Sequence, residues 1–217
     1  MQARRLASFL FICQLLVTSV CAKMPPQTGF FGSKYDNLKI LEQIVESDKL
    51  QNVRVPATLG VSSEQVERAL EDKGVALEEL WAQFKSNPTE ATDQINTGSC
   101  PALKAIQDAI YFVISSDYNL LTQDQKEWLE KLADRFLMVR STGAEDTAEL
   151  VNAGGNESVA YVAPTQKDVM EAIAFVIVSY FSVKSFENRI KAGDDVFKEM
   201  PALPVIIQEL VGEAVGG

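Results

Sequence analysis

The chain has 217 residues, 47% of them hydrophobic, with 30 Asp+Glu against 20 Lys+Arg, a formal charge of −10 and no histidine. Such acidity opposes binding to phosphate backbones, so no nucleic acid is expected as a partner. The missing imidazole excludes the commonest general base, the His-dependent triads and most zinc sites.

In chain order, residues 1–22 come first. Arg4 and Arg5 precede the apolar run LASFLFICQLLV, and Val20 and Ala22 sit at the −3 and −1 positions of a small-residue cleavage site. This predicts a signal peptide over 1–22, a mature chain from Lys23, and a secreted, extracellular protein. Cleavage would remove two arginines and make the mature chain still more acidic. It would also remove Cys13 and Cys21 and leave Cys100 as the single mature cysteine. No intramolecular disulfide could then form, and Cys100 is expected to be buried.

Residues 23–33, KMPPQTGFFGS, read as an extended N-terminal arm, and 34–217 as one helical domain. Tyr35, Leu38, Ile40, Leu41, Ile44 and Val45 recur at helical spacing to about Lys49. Pro56 and Gly60 interrupt the pattern. Ser62 with Gln65 forms a capping box, in which hydroxyl and amide satisfy free backbone groups at a helix start. That helix should stop at Gly74. A second short helix over 76–84 places Leu77, Leu80, Trp81 and Phe84 on one face. Pro101 suits the first position of a mostly buried helix. Thr122 and Gln125 make a second capping box, and Trp128, Leu129, Leu132, Phe136 and Val139 continue its stripe. Residues 141–164 read as a polar loop with a short helix at 145–152, and ESVAYVA (157–163) as a lone, weak strand candidate. Thr165 opens a long helix ending at Gly193, and Val205–Val211 forms a last amphipathic turn. The sum is an all-α single domain of about seven helices around one buried central helix.

The central helix contains EAIAFVIVSYFSV, residues 171–183. It is shorter than the roughly 20 residues of a bilayer span, so no membrane span is expected in the mature chain. It reads as solid core, or else as the wall of an apolar-ligand cavity built from Ile173, Phe175, Ile177, Tyr180 and Phe181. If Phe175 is core, its truncation to alanine would cost about 3–5 kcal/mol.

No spacing supports catalysis. NAGGNES (152–158) lacks the lysine of a phosphate-binding loop, and the carboxylates lack a calcium-loop pattern. No catalytic residue, cofactor or metal is expected. Asn156, in Asn156-Glu157-Ser158, is a possible glycosylation site.

VSSEQVERALEDKGVALEELWAQFK (61–85) and NLLTQDQKEWLEKLADRF (119–136) resemble the secreted nematode SXP/RAL antigen family. Ser62, Gln65, Gly74, Phe84 and Lys85 take the places of that family's capped helix pair. The second phrase is also similar to the nematode fatty-acid- and retinol-binding proteins. The first resemblance implies secretion and antigenicity, and the leading expectation for the chain is a secreted, non-enzymatic protein that binds a protein partner at an extracellular or host surface. The second implies a carrier of a fatty acid or other small apolar ligand. An extracellular structural component is the third alternative.

Overall fold

The computed structural model describes residues 29–50, 52–142 and 155–211. The predicted signal peptide, the first part of the arm and the predicted helix at 145–152 lie outside them. Helices form largely where local signals place them. Ser62 and Thr122 cap α2 (Ser63–Asp72) and α6 (Gln123–Glu130), each in a complete capping box with Gln65 or Gln125. The two glutamines also bond each other, with Gln65 Nε2 donating to Gln125 Oε1 at 3.0 Å. Helix α1 spans Ser33–Ser47, α3 Leu77–Lys85, α4 Pro88–Asn96 and α5 Pro101–Ile114. Pro101 stands at the start of α5, and Cys100 before it is buried.

The long helix predicted from Thr165 is two helices, α7 (Gln166–Ser179) and α8 (Val183–Lys191), with a break at Tyr180–Ser182. Ser182 causes the restart, because its hydroxyl accepts from the Ser185 amide at 3.0 Å and caps α8. Trp81, Phe84, Phe181 and Phe186 fill the corner beneath the break, with Phe84 edge-on to Phe186 at 5.2 Å between ring centroids.

The all-α expectation is overturned by a four-stranded antiparallel sheet. Strands β1 (Thr58–Val61), β2 (Leu137–Ser141), β3 (Ser158–Val162) and β4 (Val205–Glu209) lie in the order β1-β4-β2-β3. The protein is an α/β fold. Residues 137–141 continued the stripe of the preceding helix in sequence, but α6 ends at Glu130 and a turn intervenes. Within β2 the burial alternates, with Leu137, Val139 and Ser141 buried and Met138 and Arg140 partly exposed. Strand β4 hid for the opposite reason. It is interior to the sheet, and Val205, Ile206 and Ile207 are all buried, so no alternation marks it.

One face of the sheet packs on α7, which also lies against α5. In α7 and the break, Ile173, Ile177, Tyr180 and Phe181 are at most 1% exposed, within the main core. Phe175 is 49% exposed instead. It follows Lys167 and Glu171 on the helix's water-facing edge, while Ala174 is buried. The core cost expected for truncating Phe175 therefore falls away. On the opposite face of the sheet lies a second, smaller cluster of Phe31, Tyr35 and Ile206, which seats α1 there.

Candidate anion-binding cleft at the start of helix α1

Chain entry into α1 is built on two glycines. Gly29 has φ +122° and Gly32 φ +76°, conformations that side chains other than glycine rarely adopt. Between them Phe31 lays its ring on the sheet, 4.7 Å from the Tyr35 ring one turn later. This contact requires Gly60 in β1, because a Cβ there would stand 2.4 Å from Phe31 Cδ1. Burial first, and then the charges of Glu42 and Asp36, push the Tyr35 hydroxyl up to about 12, so it stays protonated at neutral pH.

Gly32 is the N-cap of α1 and brings no capping side chain. The cap comes from the end of β2, where Thr142 Oγ1 accepts from the Tyr35 amide at 3.2 Å. The approach is so close that a Cβ on Gly32 would lie 1.3 Å from the Thr142 carbonyl oxygen. Thr142 is itself fixed from the core. Its amide donates to the Tyr180 hydroxyl at 3.0 Å, and that hydroxyl donates to the Pro204 carbonyl at 2.6 Å.

The two elements that form this junction each bring a cation. Lys34, in the first turn of α1, donates from Nζ to the Ser141 carbonyl at 3.2 Å. Arg140, one residue earlier in β2, pairs in register with Ile206, so it belongs to the sheet face that carries α1. Its Nε is buried and has no hydrogen-bond partner among the described residues. Arg140 also forms none of the ion pairs found there, unlike Arg54 and Arg135, which both reach the buried carboxylate of Glu209. A buried donor on a permanently charged group is costly when unpaired, and its pairing with an anion is the natural remedy. The N-terminus of α1 adds the positive end of a helix dipole. Two cations of different geometry at a helix start suit a phosphate chain, with the guanidinium able to grip two oxygens and the ammonium acting as a point charge.

The Gly29–Gly32 turn is tied to α2. The Phe30 amide donates to both carboxylate oxygens of Glu64, at 3.1 and 2.9 Å. Desolvation pushes the Glu64 pKa up, but hydrogen bonds from its own amide, the Phe30 amide and Ser62 outweigh it and hold the carboxyl below its usual value. The contact is thus intact at neutral pH and is lost only as pH falls through that depressed value.

Sequence reasoning passed over this site. Gly29, Gly32 and Lys34 fell at the boundary between the predicted arm and the first helix, and the Gly-x-x-Gly-x-Lys spacing before an amphipathic run was the available signal. Arg140 was read as the tail of a helix. The residues predicted to form an apolar wall lie elsewhere: Ile173, Ile177 and Phe181 in the core, and Phe175 at the surface. Tyr180 alone reaches this junction, through its bond to Thr142. Asn156 lies after β2, where its Oδ1 accepts from the Ser185 hydroxyl at 3.0 Å. No group of three or more acidic or Cys side chains able to hold a metal occurs among the described residues.

No curated protein matches the chain. A family model does, the pyruvate phosphate dikinase AMP/ATP-binding domain, over residues 29–217. This overturns the resemblance to the SXP/RAL antigens and to the fatty-acid- and retinol-binding proteins. It likewise overturns the reading as a non-enzymatic antigen or structural component with a protein partner or apolar ligand, since the family is a nucleotide-binding one related to an enzyme. The helical phrases behind that resemblance were capped amphipathic helices, which many folds share. The match begins at Gly29, takes in Gly32, Lys34 and Arg140, and continues beyond β4, and the chain belongs to the family of the pyruvate phosphate dikinase AMP/ATP-binding domain.

Proposed function

We propose that this chain binds ATP or AMP, with the phosphates held at the start of α1 by Lys34 and Arg140, and that it serves as the nucleotide-holding part of a phosphoryl-transfer enzyme. The observation that carries the reading is the buried, unpartnered Nε of Arg140, two residues before the Thr142 that Gly32 abuts. Family membership supplies the class of ligand. In phosphoryl transfer little covalent chemistry falls to the protein, and positioning and charge neutralisation dominate. Lys34 and Arg140 suit both tasks. They also give a strongly acidic chain a local attraction for a polyanion that its net charge would otherwise repel. Calorimetric titration of the full chain with ATP, AMP and adenosine tests this. Affinity should rise with phosphate number and weaken with salt. Equal affinities for all three, or no binding at millimolar ATP, would sink the reading.

Export is a separate proposal, resting on the Arg4–Arg5 pair, the apolar run and the Val20-x-Ala22 ending. Amino-terminal sequencing of protein from the native source should start at Lys23. A start at Met1 would refute it.

A further inference from the structure

We propose that Glu64 is a positioning residue of this cleft, fixing the Gly29–Gly32 turn so that the start of α1 and Lys34 are set for phosphate before the ligand arrives. The inference rests on the nucleotide reading and adds a residue that touches neither phosphate nor nucleotide.

The grounds are geometric. Phe30 is held at both ends of its peptide groups by the first turn of α2. Its amide donates to Glu64 Oε1 and Oε2, and its carbonyl accepts from the Ser63 amide at 3.1 Å. Gly29 comes so near that a Cβ would stand 2.7 Å from Glu64 Oε2 and 2.6 Å from Ser62 Oγ. Two residues on, Gly32 abuts Thr142, and two further on Lys34 reaches Ser141. The turn is therefore pinned by Glu64 on one side and by the end of β2 on the other. Glycine turns are the most mobile backbone a chain can make, and ordering one on binding is charged against affinity. Glu64 is exposed and adds nothing to the hydrophobic core. Its contact with the Phe30 amide spans 34 residues of sequence and joins the turn to a helix that is rigidly capped. An exposed carboxylate spent on a backbone amide of the turn that leads into the cationic site is what preorganisation requires.

The test compares the full-length wild type with Glu64→Ala and Glu64→Gln, using inorganic tripolyphosphate, ATP and adenosine as probes and hydrogen exchange across residues 29–36. Glu64→Ala should weaken tripolyphosphate and ATP on the order of tenfold, the equivalent of ordering about one residue. Adenosine binding should not change, which a general loss of structure could not produce. Exchange at Phe30 and Phe31 should speed up. Glu64→Gln, whose amide oxygen still accepts from the Phe30 amide, should recover most of the affinity. A Glu64→Ala chain that binds tripolyphosphate as tightly as wild type sinks this inference alone. A wild type that binds no tripolyphosphate sinks the nucleotide reading, and this inference with it.

Discussion

Replacing Arg140 by methionine should remove ATP binding while leaving the ligand-free protein as stable as wild type, or more so. The two effects have one cause. In the free protein the guanidinium keeps a buried Nε without a partner and without a compensating carboxylate among the described residues. A buried donor left unpaired costs free energy, and a methionine fills the space of the arginine stem without it. Removing it should raise the melting temperature by a few degrees, since about 1 kcal/mol shifts a chain of this size by roughly 2–4 °C. On binding, the same group would be the principal clamp on phosphate. Truncating one partner of a desolvated charge pair costs about 2–5 kcal/mol, which puts the loss of affinity between roughly thirtyfold and several thousandfold. Calorimetry for binding and differential scanning for stability read the two halves separately. A variant that binds ATP normally, or one that unfolds well below wild type, would show that Arg140 is structural.

Gly32→Ala should damage fold and site together. A methyl group there meets the Thr142 carbonyl oxygen at 1.3 Å, and backbone cannot yield as a flexible side chain can. The residue must also hold φ +76°, where alanine pays about 1–2 kcal/mol. With the displacement of β2's end, the total should reach roughly 3 kcal/mol. Urea denaturation should show the lost stability, and ATP titration should show that the remaining folded protein binds poorly. Tyr35 would lose the cap that Thr142 supplies, and Lys34 its anchor on Ser141. A midpoint within experimental error of wild type would mean that the turn and Thr142 can separate at little cost.

What could be read from sequence was what is decided within about four residues. The boxes Ser62–Gln65 and Thr122–Gln125, Pro101 at a helix start and the stops at Gly74 and Gly193 are such features, and the structure has them in place. The sheet was unreadable because its pairings are remote. Thr58 to Val61 lie against Gln208 to Val205, and nothing near Thr58 announces that partner. β3 carried the one visible strand signal, yet a strand alone predicts no sheet. The cleft failed for the same reason at greater cost. Lys34 and Ser141 are 107 residues apart, and nothing near the glycine turn announces that β2 ends against it. The central helix shows a subtler limit. Its apolar run was expected as core or cavity wall throughout, but the water-facing edge runs through Phe175, a rotation set by where α5 and the sheet sit.

The strand order has a consequence for how the molecule comes into being. β4, the last strand among the described residues, lies between β1 and β2, so β1 has no neighbour in the sheet until residues 205–209 have emerged. Ile206 is also the floor on which Phe31 and Tyr35 rest. Assembly of the amino-terminal turn must then wait until residues 205–209 have left the ribosome. Helices α2 to α6 can form early from local contacts, whereas closure of the sheet is a late, long-range event and the slow step by topology. Until that step the nascent protein holds Leu59 and Val61 without their final cover, a window in which aggregation or chaperone capture competes with folding. A chain cut short before β4 would carry Lys34 but lack Ile206, the platform under the turn that precedes it.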